Sequence, residues 1–562
     1  MEGTTVSCPL DFPATEDARS GEESERTMRT ETSKVTCSKN SAKKISRLIQ
    51  NLGFYALLGF ASPTIADTPI TGPNISGTWS PSGNCYIIVS DCTVPSGQSL
   101  TIQPGTCVKI AQGVSLTVNG MIQAVGTPVQ RITIQAPISS QTWNTIVAQG
   151  TAGTNQFKYC DFSNATSALD FRGTSINEVK NCNFQNAGYG IIFRDNSVNA
   201  AMFCNFQNVT NGIWMTTQLG GLVPYTWTQT TKIMNCTFTN VSVQSIYGEA
   251  YGIAVYFGQV AHAAINSSIR NCTFHGVGAG CRFNLGGAIY GSSIGRGYGD
   301  LQIMNSVFDN VVNSAIWLSA DSYAGGGPAT FINNTILHAG SGVIVQDPWD
   351  ARVQSCLFVG CTNAVTDRGT LSRDVSYNGF YGNGTNFVGY NTNSYGSEIW
   401  SNRNGTPGDL LLNIFQDPNF VAANDFHLQT NSPAIDAGSP DWAYTDMCFT
   451  NGVSQGTSFP DLGAYGGSDA ANWLDVVPKV PVQAFLTKTS GTTWVNWGAL
   501  PRSSYQVQYL ASLSTVGTNV WTNFTGGLVL ATDKPTSLQV ATGTATNKMF
   551  FRVQSLGRAV GN

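Results

Sequence analysis

The chain has 562 residues, 11 % of them charged and 41 % hydrophobic, with 60 glycines and a net charge of −4. That length exceeds one ordinary domain unless the architecture grows by repetition, and the apolar content is too high for a disordered chain. The charge balance gives nucleic acid or an anionic membrane surface no electrostatic hold, and the abundance of Thr, Val, Ile, Gly and Asn favours strands and tight turns over helices.

Residues 1–42 are polar, charge-rich and aperiodic, and read as a disordered leader. Lys43, Lys44 and Arg47 then precede an apolar run from Leu52 to Phe60 and the sequence Thr64-Ile65-Ala66. Basic, apolar and small residues in that order read as a secretory signal peptide over 43–66, cleaved after Ala66. The run is shorter than the roughly 20 residues that cross a bilayer. Its distance from Met1 points to Met28 as the true start. The mature chain is expected to be secreted or displayed at the cell surface, as a monomer without an integral membrane segment.

Between 77 and 126, short segments of alternating apolar and polar residues are broken by Gly, Pro and Asn. A repeat follows: YCDFSN (159–164), NCNFQN (181–186), FCNFQN (203–208), NCTFTN (235–240), NCTFHG (271–276), NSVFDN (305–310), NNTILH (333–338) and SCLFVG (355–360). The Phe or Ile recurs at gaps of 22 (162 to 184, 184 to 206, 336 to 358), stretched elsewhere to between 28 and 36, as if loops were inserted into a 22-residue unit. Cys and Phe two apart share one face of a strand. The following Asn (164, 186, 208, 240, 310) suits a left-handed turn. A second strand, often opened by Gly, comes next: GIIFR (190–194), GIWMT (212–216), GIAVY (252–256), SAIWL (314–318), GVIVQ (342–346). No coil can bury its inner face alone, but stacked coils can, so the pattern predicts an all-β solenoid, a parallel β-helix. A leucine-rich repeat would fit the period, but its Leu/Asn consensus is missing, and no helical periodicity appears.

The opening segment 77–126 resembles the first coils of bacterial right-handed parallel β-helix repeat proteins, of the pectin lyase-like fold superfamily. QDPNFVAANDFHLQTNSPAIDAGSPD (416–441) with PDLGAYGG (460–467) is similar to the closing segment of many of them. The resemblance covers 77–467 and implies architecture more than activity, because that family mixes enzymes, adhesins and proteins of unknown role. The polygalacturonase elements NTD, DD, GHG and RIK and the pectate lyase WIDH pattern are absent. After Pro478 and Pro481 the spacing changes: TTWVNWGAL, YQVQYLAS, NVWTNFT, TSLQVAT and MFFRVQS read as a small β-sandwich, similar to a fibronectin type III-like module. The expected organisation is leader and signal at 1–66, a right-handed parallel β-helix with its closing segment at 67–477, and the sandwich at 478–562.

Of 14 cysteines, Cys160, Cys182, Cys204, Cys236, Cys272 and Cys356 hold one place in the repeat and read as stacked small apolar side chains. Cys85 with Cys92 or Cys107, and Cys356 with Cys361, are the disulfide candidates. No CxxC or zinc-spaced cluster occurs. No cofactor is evident; Asp436 and Asp461 in the closing segment are candidates for calcium, with turn contacts explaining them equally.

The enlarged loops fall mainly after the second strand, at 218–229, 258–268, 291–300 and 319–327, so stacking in register would place them on one edge as the wall of a groove; a further insertion, 244–251, precedes its strand. They carry Tyr225, Trp227, Tyr298 and Tyr323, with Trp349 in the equivalent turn of the next coil. Aromatic rings beside Asn and Ser suit polysaccharide, which stacks pyranose faces and bonds at the rim; the alternative is that they pack the loops themselves. Glycoside cleavage needs two carboxylates about 5–10 Å apart, and Asp321, Asp347, Asp350 and Asp367 are the catalytic candidates, against a role for Asp in tight turns. Arg172 and Arg194 share one outer position, while Arg368 and Arg373 would neutralise a uronate. The expectation is polysaccharide binding, with a lyase or hydrolase, or a structural adhesin, as alternatives. His275 and His338, two of only four His, sit inside repeat units and read as structural.

Overall fold

The computed structural model describes residues 67–475 and the strands between 484 and 558, with interruptions at 217–226, 242–251, 259–262, 321–326 and 447–452 and shorter ones elsewhere. The leader and signal segment lie outside the described residues. Three parallel sheets of 13, 12 and 12 strands run the length of a right-handed solenoid. Sheet 1 runs from Thr68–Ile70 to Gly379–Tyr381, sheet 2 from Cys92–Val94 to Thr385–Val388 and sheet 3 from Gly77–Trp79 to Asp374–Ser376. A coil visits sheets 3, 1 and 2 in turn, as in Ile176–Lys180, Asn183–Gln185 and Tyr189–Arg194.

The CxF strands form sheet 1 and the Gly-opened strands sheet 2, as the repeat predicts. The sheet 3 strand of each coil is an addition to the two strands read from sequence. Its inward residue (Val179, Ala201, Ile233, Ile269, Ile303) is fully buried. The supposed loops are correspondingly shorter, because Trp227–Met234, Ala263–Arg270 and Tyr298–Met304 are sheet 3 strands.

Two of the three corners turn on a single left-handed residue. From sheet 1 to sheet 2, Asn164, Asn186, Asn208, Asn240 and Asn310 take φ of 52–58°. From sheet 3 to sheet 1, Asn181, Asn235, Asn271, Asn305 and Asn333 take 50–55°. Asn tolerates this region better than other non-glycine residues. Tyr159 and Phe203 occupy the same conformation at 52° and 55°, and their rings receive Arg131 and Lys180.

Identical residues then stack. The rings of Phe162, Phe184, Phe206, Phe238, Phe274 and Phe308 lie 4.4–4.9 Å apart with planes within 6° of parallel. The glycines opening the sheet 2 strands make room for them: a Cβ on Gly190 would stand 2.6 Å from the Phe206 ring, and one on Gly212 2.6 Å from Phe238.

The cysteine column is buried but not merely apolar. Cys182 Sγ lies 3.4 Å from the carbonyls of both Phe157 and Lys180, so each thiol serves carbonyls at the corner. Later coils put Ser306, Asn334 and Asn378 in that place, donating to Met304, Ile303 and Val353. Cys85 and Cys107 are cross-strand partners and form a disulfide, Cα to Cα 4.5 Å. Cys92 is a free buried thiol; so are Cys356 and Cys361, which correct the second proposed bridge because they sit at opposite ends of one strand, each turned to backbone carbonyls.

The closing segment docks on the corner between sheets 3 and 1. The Asn305 amide donates to the Ala464 and Gly466 carbonyls at 3.0 and 2.6 Å, and that of Asn333 to Asp461 and Gly463 at 2.7 and 3.2 Å. Asn271 reaches the Asp469 carbonyl at 3.0 Å, beside an Arg270–Asp469 ion pair. Asp436 and Asp461 turn their carboxylates onto chain groups. Asp461 accepts from the N–H of Asp436 at 2.9 Å and of Gln455 at 2.7 Å, and Asp436 from Thr457. Burial, with Asp446 and Asp436 nearby, pushes the Asp461 carboxyl up to about 7 against those two N–H donors. The C-terminal region forms two antiparallel sheets of three strands each.

Replacing Phe206 by Ala opens the ring column and is expected to cost about 3–5 kcal/mol, read as a lower urea midpoint. A carboxyl raised by folding stabilises fully below its ordinary value of 3.8, and that contribution is lost as pH rises through about 7. Thermal melts of wild type and Asp461→Asn from about pH 5 to about pH 8 should therefore show the variant gaining on wild type as pH rises; parallel curves would contradict this.

Candidate functional site

Asp321, Asp347, Tyr225 and Tyr323 lie outside the described residues. Trp227 and Tyr298 open sheet 3 strands in neighbouring register, against Ala263 and Ala264. Trp349 is 1 % exposed: the corner 346–349 is too short to project it, so its ring enters the core and its indole N–H donates to the Ser319 carbonyl at 3.3 Å. Asp350 is exposed at the start of a sheet 3 strand. Asp367 pairs in register with Val345, whose side chain is interior. Its carboxylate accordingly faces the end of the core, accepting from Gly369 N–H at 2.9 Å and lying 3.8 Å from Arg373 Nε. Arg373 is itself buried, which removes it from any ligand face, whereas Arg368 is exposed. The two described acids of the catalytic candidate set therefore do not face each other across a cleft.

Another row is assembled instead. On the outer face of sheet 2, register pairing aligns Asp170, Ile192, Trp214, Tyr256, Arg282 and Trp317 in six successive coils. They face outward because their strand neighbours face in: Ile213, Met215, Val255, Phe283, Ile316 and Leu318 are buried. Trp214, Tyr256, Arg282 and Trp317 are half-buried. The Trp214 and Tyr256 rings meet at 4.2 Å and 60°, with Tyr189 edge-on to Trp214 at 5.5 Å. The Arg282 guanidinium lies 4.3 Å from the Trp317 ring centre and that of Arg368 5.9 Å. The Trp317 indole N–H has no acceptor among the described residues.

Arg172 and Arg194, as their shared position predicts, converge at the other end of the row. Buried Asp170 accepts from Arg172 Nε and Nη2 at 3.0 and 2.6 Å and from Arg194 Nε and Nη2 at 2.7 and 3.3 Å. The face therefore carries four guanidiniums and one carboxylate among its described residues. Burial lowers the pKa of the Arg282 guanidinium from its ordinary value.

On sheet 1, His275 and His338 both point Nδ1 at Asp309, at 2.9 and 3.0 Å. Among the described residues no group of three or more His, Cys, Asp or Glu is arranged to hold a metal, and no helix is long and apolar enough to cross a membrane.

A family model described as a right-handed beta helix region matches residues 130–294, and the three parallel sheets show that fold over the whole solenoid. Similar solved structures include the pectate lyase Pel9A, at 14 % identity and a TM-score of 0.30 over 68 % of this chain and 87 % of that one. A mutant tailspike protein of E. coli bacteriophage HK620 in complex with a pentasaccharide aligns at 12 % identity and a TM-score of 0.27, over 84 % of this chain and 87 % of that one. The catalytic domain of a GH87 α-1,3-glucanase in complex with nigerose aligns at 12 % and 0.21, over 54 % of this chain and 68 % of that one. No curated protein matches the chain.

Removing the Asp170 carboxylate leaves two adjacent guanidiniums with lost acceptors. Asp170→Ala is expected to lower stability by about 1–3 kcal/mol, measured by urea unfolding; an unchanged midpoint would mean that the clamp is energetically idle.

Proposed function

We propose that the chain is an exported polysaccharide-binding β-helix, of the bacterial repeat type, whose glycan lies along the outer face of sheet 2. The observation that carries this reading is the in-register row of Trp214, Tyr256 and Trp317, half-exposed on a rigid sheet. Sugar rings present apolar C–H faces and hydroxyl rims. Aromatic rings on strands held at fixed spacing receive the first, and the Trp317 N–H and the arginines receive the second. The rotamers cost little entropy on binding because the row is held from below by the stacked core. Export rests on the composition of 43–66 and agrees with the Cys85–Cys107 disulfide, a bond that persists in oxidising compartments. The C-terminal strands serve as an accessory module, and calcium has no part in this reading.

Binding is favoured over cleavage by one feature of the same face. Its described carboxylate, Asp170, is buried and both of its oxygens are engaged by guanidiniums, so it is not presented to a bound glycan. Glycan-array binding by the full chain, with a reducing-sugar assay on a polysaccharide panel, tests the reading. Binding without turnover is expected, and Trp214→Ala and Trp317→Ala should each weaken it at least about tenfold. Turnover would make the protein an enzyme; absence of both binding and turnover would leave the structural or adhesive role.

A further inference from the structure

We infer that the corner between sheets 1 and 2 carries a second, smaller sugar subsite, which takes the acetamido group of an N-acetylated sugar. The inference rests on the polysaccharide reading above and adds the chemical class of one unit of the ligand. Its origin is a break in the asparagine column. Asn208, Asn240 and Asn310 hold this corner with φ of 53°, 52° and 54°, but in the coil between Asn240 and Asn310 the same left-handed place falls to Gly276, at 61°. Glycine has no side chain to fill the space that asparagine fills elsewhere. A cavity of about 340 Å³ opens there, lined by Asn208, Asn240, Gly276 and Val312, with the buried Val241 and Val277 beneath.

The cavity sets one polar group against an apolar wall. A Cβ added at Gly276 would stand 3.1 Å from Asn240 Oδ1, so that oxygen leans into the space the missing side chain leaves. The Asn240 carboxamide makes no hydrogen bond among the described residues, and Val312 beside it is 60 % exposed. An acetamido group matches both features: its N–H donates to the Asn240 oxygen while its methyl lies against Val312. A hydroxyl in its place would keep the bond and lose the apolar contact. The volume is at the small end of ligand sites and holds about one sugar ring. Gly278 runs directly into the strand Ala279–Leu285, whose Arg282 belongs to the outward row. Those four residues span about 13 Å at roughly 3.3 Å each, so a side unit of the glycan reaches the cavity, not the ring held on the row.

The test titrates the full chain with N,N′-diacetylchitobiose, chitobiose and cellobiose, disaccharides of one skeleton that carry acetamido, amino and hydroxyl groups at the same ring carbon. The acetylated sugar is expected to bind about tenfold more tightly than cellobiose, the effect of one buried methyl and one hydrogen bond. Two variants test the placement while keeping the turn, because Asn and Gly both occupy this left-handed place in neighbouring coils. Gly276→Asn fills the cavity with the side chain that the other coils carry, and Asn240→Gly removes the acceptor. Each should keep a urea midpoint near that of wild type and abolish the preference for the acetylated sugar, with cellobiose binding unchanged. Val312→Ser, at an exposed position, should weaken that preference several-fold and stands as the test if a corner variant fails to fold. Equal affinity for acetylated sugar and cellobiose, or a preference that survives these variants, would overturn the inference while leaving polysaccharide binding on sheet 2 standing. Chitobiose bound most tightly would overturn it as an attraction of charge. No binding of any glycan would remove the reading on which it rests.

Discussion

Everything in the solenoid depends on one constraint: each coil must repeat the path of the one before it at the spacing of hydrogen-bonded parallel strands. The single left-handed residues at two corners impose that constraint. A turn of one residue leaves no slack, so Asn186 sits over Asn164 and the strands on either side begin in register. Once register is set, like residues must stack on like. The phenylalanine column is the consequence, and the missing Cβ of Gly190 and Gly212 is its geometric complement one strand away.

Parallel stacking also explains why polar groups are admitted to the core. At the corner between sheets 3 and 1, inward carbonyls recur, and from Cys160 onward the coils supply side chains that meet them. Thiols do so through most of the solenoid, a hydroxyl at Ser306 and amides at Asn334 and Asn378. The same logic produces the amide ladder Asn155, Asn177 and Asn199 at the start of sheet 3, each side chain bonded to the next at 3.1 and 3.0 Å. A buried polar column is tolerable because its members satisfy one another.

The elements written in strong residues were legible in the sequence. Phe, Cys and Asn at fixed offsets announced sheet 1 and the corner after it, and Gly followed by apolar residues announced sheet 2. Sheet 3 was not legible, because of the two inward residues in its strands the first is polar in several coils (Asn177, Thr231, Ser267) and the second varies in size, from Ala201 to Phe331, and because the strands follow the corner that takes insertions. The site was obscured for a related reason. Ile192 and Ile344 face outward yet are buried, so the strands of sheet 2 read as continuous apolar runs and hide the outward position of Trp214, Tyr256 and Trp317. Trp349 misled in the opposite sense, since a residue in a turn is read as exposed and this one completes the core.

The three corners divide the work of the fold, and that division leaves sheet 2 available. The corner between sheets 3 and 1 is occupied by the closing segment, whose contacts with Asn271, Asn305, Asn333, Thr335 and Ser355 all fall there. The corner between sheets 1 and 2 is held to a single left-handed residue in most coils, and where the chain does insert residues there, between Thr237–Thr239 and Ile253–Gly258, the Phe206, Phe238 and Phe274 rings stay stacked. Only the corner between sheets 2 and 3 lengthens repeatedly without cost to the core, at 217–226, 259–262, 286–297 and 321–327. A ligand surface needs rigidity beneath it and freedom to vary beside it. The outer face of sheet 2 has both: its rings and guanidiniums stand on a regular stack of strands, and those strands run directly into the corner where the chain lengthens repeatedly.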